Sequence, residues 1–204
     1  MAQADVDLLV ERAVAEAGPP QVEPEAKARS LAALRAALSA EEELTAAAAR
    51  RVAEAAEEAV WLGASLADLG EVTGKSRQAA RKRWPGLGTA YRKRRWLGDH
   101  VEEVLHMGGL VASRADDLAP VGGNGAFSRL IGRLREGLQR CQADFADGAE
   151  ESVESWRSFD ELVDVTLRAV IETAGSPASP QAEFALHGAT GVLGYYDHAV
   201  ARDS

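Results

Sequence analysis

Residues 65–95 read SLADLGEVTGKSRQAARKRWPGLGTAYRKRR, and the architecture of the chain follows from how this stretch folds. Gly63-Ala64 closes the preceding segment, and the Ser65 hydroxyl can accept from an early backbone N–H, with Asp68 in the reciprocal capping-box position. Leu66, Leu69 and Val72 then fall on the inward side of about two helical turns. Thr73-Gly74-Lys75 supplies a corner, because glycine tolerates the left-handed backbone that a sharp exit from a helix requires. Ser76 caps a second helix running from Arg77 to Trp84, where Pro85-Gly86 ends it. Two short capped helices about a glycine turn form a helix-turn-helix pattern.

The same stretch concentrates positive charge. Lys75, Arg77, Arg81, Lys82, Arg83, Arg92, Lys93, Arg94 and Arg95 are interrupted by no acidic residue and carry +9, while the whole chain carries −9, which leaves −18 elsewhere. Such asymmetry fits a nucleic-acid footprint. Runs of Lys and Arg also occur as solvated helix faces, so charge alone leaves both readings open.

Leu69-Gly70 shortly before Gly74, then Ser76-Arg77-Gln78-Ala79-Ala80, with Gly63-Ala64-Ser65 as the entry, narrow the choice. Together they resemble the helix-turn-helix of bacterial transcriptional regulators, in a form common in actinobacterial proteins, over about residues 59–84. The resemblance implies that the second helix enters the major groove of double-stranded DNA. Arg77 and Gln78 are then base-reading candidates, since Arg can bond a guanine edge bidentately and Gln an adenine edge. Arg81, one turn further on, can read a base or a phosphate. Lys75, the Ser76 hydroxyl and Lys82 flank the reading face as phosphate candidates. Ala79 allows close approach, while Ala80 and Trp84 face the core. Thr73, Lys75 and Arg83 stand where that family buries aliphatic side chains; the Thr methyl, the Lys stem and Trp84 are expected to fill those places. Arg92, Lys93, Arg94 and Arg95, bracketed by Tyr91 and Trp96, are expected to extend the phosphate contacts as a helix or an arm.

Outward from this centre the chain reads as amphipathic helices. Asp5 to Ala17 is expected to be helical, with Val6, Leu9, Val10 and Ala13 on one side, to pack on its own core or on a second subunit. A Pro-containing linker follows, then helices over Glu25 to Leu38 and Glu41 to Leu62, the latter with Leu44, Ala48, Val52, Ala55, Ala59 and Leu62 inward. Beyond the basic stretch, Leu97 to Leu118 is helical with a kink or division at Gly108-Gly109, and 120–125 is a loop. Phe127, Leu130, Ile131, Leu134, Leu138, Cys141 and Phe145 mark the clearest amphipathic helix. A polar break over Glu150 to Ser158 precedes a helix from Phe159 to Ala174. In the last helix, Gln181 to Ala201, Gly188, Gly191 and Gly194 recur near His187, Tyr195 and His198. Such glycines call for a close neighbour: another helix, a second subunit or a small ligand.

Abundant alanine, 5% aromatics and the near absence of β-branched runs give an all-α class; with the helix-turn-helix resemblance, the expected architecture is a central helix-turn-helix domain followed by a C-terminal helical bundle, dimeric. The expected divisions are 1–24 as N-terminal helix and linker, 25–96 as DNA-binding domain, and 97–204 as dimerisation or effector domain. The lone Cys141 forms no internal disulfide, no Cys spacing suits a metal, and the acidic N-terminus lacks a signal-peptide pattern. No apolar run approaches the ~18 residues of a membrane span, so the expectation is a cytoplasmic, nucleoid-associated protein with no membrane partner. His100, His106, His187 and His198 are too scattered for a metal set, and no phosphate-cradling loop or nucleophile elbow occurs, so neither catalysis nor a cofactor is expected. The expected function is sequence-specific double-stranded DNA binding in transcription regulation by a homodimer, with room for a small-molecule effector at the C-terminal domain. The alternatives are an architectural or plasmid-maintenance DNA binder, or a protein-interaction scaffold that does not bind DNA.

Overall fold

The structure is a computed structural model and describes residues 8, 11, 12, 15, 23–120 and 125–201. Every regular element among the described residues is helical. The expected helix over 5–17 lies mostly outside them, as does most of the loop expected over 120–125. The chain divides into two compact units, Met1–Ala55 and Ala56–Ser204.

Helix α1, Glu23–Trp61, merges the two helices expected over 25–38 and 41–62. No Gly or Pro lies between Glu25 and Leu62, and Ser39 sits among strong helix formers, so nothing there can stop the ladder of hydrogen bonds. In the first unit, Leu44, Ala48, Val52 and Ala55 were expected to face inward and are exposed. They are joined on the surface by Leu31, Leu34 and Leu38.

The second unit begins with the last turns of α1, where Ala56, Val60 and Trp61 are the buried residues and Leu62 is exposed. The inward face is therefore rotated from the one expected at Ala55, Ala59 and Leu62. Helices α2 (Leu66–Val72), α3 (Arg77–Arg83) and α4 (Leu87–Asp99) follow. Helix α5 (Val101–Ser113) leads through a 3-10 turn, Ala115–Leu118, towards α6 (Gly125–Asp144). Helix α7 (Val153–Glu161) widens into a π-helical stretch, Leu162–Leu167, and continues as α8 (Arg168–Thr173) before α9 (Pro180–Ala201).

The chain breaks at His100, not at Gly108-Gly109. Those glycines stay within α5 because Gly108 is where α6 comes close: a Cβ there would lie 2.9 Å from a Leu138 methyl carbon. The expected polar break is shorter than 150–158, since Ser152 accepts from the Ser155 N–H and starts α7. One core gathers Trp96, Leu97, Val104, Leu118, Leu134, Phe159, Leu167 and Tyr196 from α4 to α9. Each such side chain contributes about 1.5–3 kcal/mol on leaving water. A smaller cluster of Ala56, Val60, Leu66, Leu69, Ala80 and Leu87, with Trp84 and Tyr91 at its margin, holds α2 and α3 on α1 and α4.

Candidate nucleic-acid interface

The corner between α2 and α3 is built almost entirely from local hydrogen bonds. Ser65 caps α2 by accepting from the Ala67 and Asp68 N–H groups, and Asp68 returns the contact by accepting from the Ser65 N–H at 2.7 Å. That backbone bond, with the Ser65 side chain, holds the Asp68 carboxyl below its ordinary value. At the other end the Lys75 N–H donates to the Gly70 carbonyl at 2.8 Å and the Gly74 N–H to that of Glu71 at 3.0 Å. With Gly74 at φ +63°, this is a complete Schellman closure. The Thr73 hydroxyl donates to the Leu69 and Gly70 carbonyls, which binds the last turn further. Gly70 is required for a different reason: the returning backbone crosses it so closely that a Cβ would stand 2.7 Å from the Lys75 carbonyl oxygen and 3.2 Å from the Arg77 nitrogen.

Ser76 then caps α3 by accepting from the Ala79 N–H at 3.2 Å. Ala80 is buried in the small cluster, which orients the helix and sends the remaining side chains outward. Lys75, Ser76, Arg77, Gln78, Arg81, Lys82 and Arg83 are all exposed. Trp84 is half-buried against the cluster, and its ring carries the Arg83 guanidinium at 4.9 Å. It thus provides the apolar contact expected one position after Arg83. Val72 was expected inward and is 87% exposed, while Gly70, two residues before it, is buried under the returning backbone.

The second basic run is helical, within α4, and only Arg95 of its four cations is exposed. Arg92 donates through Nε to the Val200 carbonyl and through Nη2 to the Thr89 hydroxyl. Lys93 Nζ sits between the Asp160 and Asp164 carboxylates at 2.9 Å from each. Burial works against its ammonium, but the two carboxylates outweigh that and raise its pKa. Arg94 donates to the Trp61 carbonyl at 2.9 Å and to Glu151 at 3.1 Å, and its guanidinium lies 3.4 Å over the Trp156 ring. Arg92, Lys93 and Arg94 therefore join α4 to the rest of the unit, where all four cations of this run were expected to meet phosphate. The partners Glu151, Asp160 and Asp164 were missed, since nothing local in the sequence marks a carboxylate dozens of residues away as a mate.

The network continues around the π-helical stretch. Arg168 pairs with Asp164 at 3.0 Å and Asp197 at 2.6 Å, and the Tyr196 hydroxyl donates to Asp160. An open cleft of about 410 Å³ beside α4 is lined by charges of both signs, Arg94, Arg95, Asp99 and Glu151, with Tyr91 and Trp156. In α9, Gly188 is explained by α5, since a Cβ there would meet the Met107 sulfur at 2.7 Å, whereas Gly191 and Gly194 face open space. Among the described residues no three His, Cys, Asp or Glu side chains converge as metal ligands, and no helix is long and apolar enough to cross a membrane. No family model, curated protein or solved structure matches the chain.

Proposed function

We propose that this chain is a sequence-specific double-stranded DNA-binding protein of the bacterial helix-turn-helix kind, a transcriptional regulator that acts as a homodimer at the nucleoid. One observation carries the reading: a short helix, rigidly turned and capped, offers solvent a face of Lys75, Arg77, Gln78, Arg81 and Lys82 that contains no carboxylate. Arg77 and Gln78 stand in the first turn, the part of a recognition helix that meets base edges. Each bidentate contact from such a residue is worth about 1–3 kcal/mol of discrimination. Lys75, the Ser76 hydroxyl and Lys82 flank that turn and suit phosphates, and Arg95 is the cation of the second run that remains available for the same duty. Arg92, Lys93 and Arg94 drop out of the contact set, because each would have to give up internal partners first.

Selection of bound duplexes from a random pool, followed by fluorescence anisotropy across salt, tests this. The expected result is enrichment of a near-palindrome with half-sites one helical turn, or a multiple of it, apart, and a steep fall in affinity with salt. Absence of any complex at low salt, or equal affinity for every sequence, refutes it.

A further inference from the structure

We propose that two copies of this chain pair through the apolar stripe of α1 between Leu38 and Ala55, side by side and antiparallel. This deepens the reading above and rests on its homodimer, which that reading left without an interface.

Helix α1 is 39 residues long, or about 58 Å at ~1.5 Å per residue. Every residue from Glu41 to Val52 is exposed. A helix in water owes most of its stability to a packed face, so a stretch of three turns exposed all round is incomplete as a monomer. The missing face is legible. Leu31, Leu34, Leu38, Ala48, Val52 and Ala55 follow one another at steps of three and four once Glu41 and Thr45 are counted in the series. That is a heptad seam with two polar interruptions, the kind of positions that set register and orientation. Its large members are open to solvent, Leu31 at 45%, Leu34 at 54%, Leu38 at 51% and Val52 at 43%, with Leu44 at 38% on its flank.

Charge identifies the occupant. Along the same helix Glu41, Glu42 and Glu43 form an acidic block, and Arg50 and Arg51 a basic one. A parallel pair in register would set Glu41 against the partner's Glu41 at the seam, which is repulsive. An antiparallel pair with its two-fold axis between Ala46 and Ala47 instead brings the seam residue Glu41 next to the partner's Arg51, twice over, while Glu43 and Arg50 lie on the side of the helix away from the seam. In that register Leu38 meets the partner's Ala55 and Thr45 the partner's Ala48, large against small. Glu41 lies level with the partner's Val52 and beside the partner's Arg51. Arg51 pairs with Glu54 on its own helix at 3.4 Å, an exposed contact of the kind that contributes little. A surface that complements itself about a two-fold axis is what an isologous dimer requires.

The mass of the full chain in solution without DNA tests this, by light scattering during gel filtration and by sedimentation equilibrium. The expected mass is twice 21.6 kDa. Leu38→Glu combined with Val52→Glu removes exposed side chains only, so the melting of the core in the second unit is unchanged, while the dissociation constant rises by about a hundredfold or more. Ser39→Glu, off the seam, leaves the mass unchanged. Glu41→Arg and Arg51→Glu each weaken the dimer, and the two together restore it. A monomer at tens of micromolar, a dimer indifferent to Leu38→Glu with Val52→Glu, or a charge reversal that fails to restore pairing overturns the proposal. None of these results bears on whether α3 reads DNA, which the binding selection decides separately.

Discussion

Gly70→Ala is the sharpest test of how the α2–α3 corner is made. In an ordinary helix interior this substitution is favourable by about 0.5–1 kcal/mol, because alanine loses less backbone freedom on folding. At Gly70 the new Cβ would lie 2.7 Å from the Lys75 carbonyl oxygen and 3.2 Å from both the Ser76 carbonyl carbon and the Arg77 nitrogen. All three are backbone atoms, so relief means moving the turn and not a side-chain tip. Overpacking of this kind costs about 1–3 kcal/mol. After the helix gain is deducted, a net loss of about 1 kcal/mol remains at the middle of these ranges and about 2.5 kcal/mol at most, the middle value being roughly 2–4 °C in Tm for a unit of this size. Gly109→Ala is the matched control: it lies inside α5, and a Cβ there meets nothing within 4 Å. Urea unfolding followed by circular dichroism should place the two variants on opposite sides of the parent chain. If Gly70→Ala proves as stable as the parent or more so, the close crossing of Lys75 over Gly70 is wrong, and with it the account of how α3 is positioned.

Lys93→Met should destabilise by about 2 kcal/mol, less than the ~3–5 kcal/mol of a fully buried broken pair, because the side chains of Lys93 and Asp160 keep 19% and 16% of their exposure. Burial raises the Asp164 carboxyl, but Lys93 and Arg168 hold it below 3.8, so its contribution is complete above 3.8 and is lost as pH falls through the lowered value. The Lys93 ammonium, raised above 10.5, contributes fully below that value and loses its share only as pH rises past the folded one. Unfolding titrations should therefore show a gap between the two chains that is flat from about pH 5 to 9 and narrows in acid. On DNA, Arg77→Ala should relax specificity at one base by about 1–3 kcal/mol, whereas Lys82→Ala should weaken all sequences alike and flatten the salt slope by about one unit, both read by anisotropy. The Cys141 thiol, buried and pushed up to about 11, should resist a thiol reagent at pH 8 until denaturant is added.

The features read correctly from sequence are those decided within a few residues. The Ser65 and Ser76 caps, the left-handed Gly74 and the spacing of Leu66, Leu69 and Ala80 depend on contacts of short range, and local pattern reports them faithfully. The apolar series from Phe127 to Cys141 was equally plain, because one helix face supplies most of its own evidence. What misled was uniformity and distance. In α1 almost every side carries alanine, so the periodicity that selects an inward face is weak, and Leu44 and Val52 were assigned to a core they do not enter. Gly108-Gly109 looked like a hinge because local propensity cannot see Leu138 filling the space that the missing side chain leaves.

The basic run shows why counting charge overstates an interface. Of the nine cations between Lys75 and Arg95, Lys75, Arg77, Arg81, Lys82, Arg83 and Arg95 are exposed, and Arg92, Lys93 and Arg94 point into the unit. For Lys93 and Arg94 the distinction is energetic as well as geometric. Freeing Lys93 for a phosphate would leave Asp160 and Asp164 facing each other, and freeing Arg94 would strip the Trp61 carbonyl, Glu151 and the Trp156 ring of one shared partner. A single phosphate contact cannot repay either loss. The internal cations also work for the proposed interface, since α4 follows α3 after Pro85-Gly86 and carries Leu87 into the cluster that seats Ala80. Lys93 and Arg94 pin the middle of the same helix. The counterion release to be expected on binding is thus that of the exposed cations alone, and a salt slope large enough to require all nine would show that α4 gives up its internal partners when DNA binds.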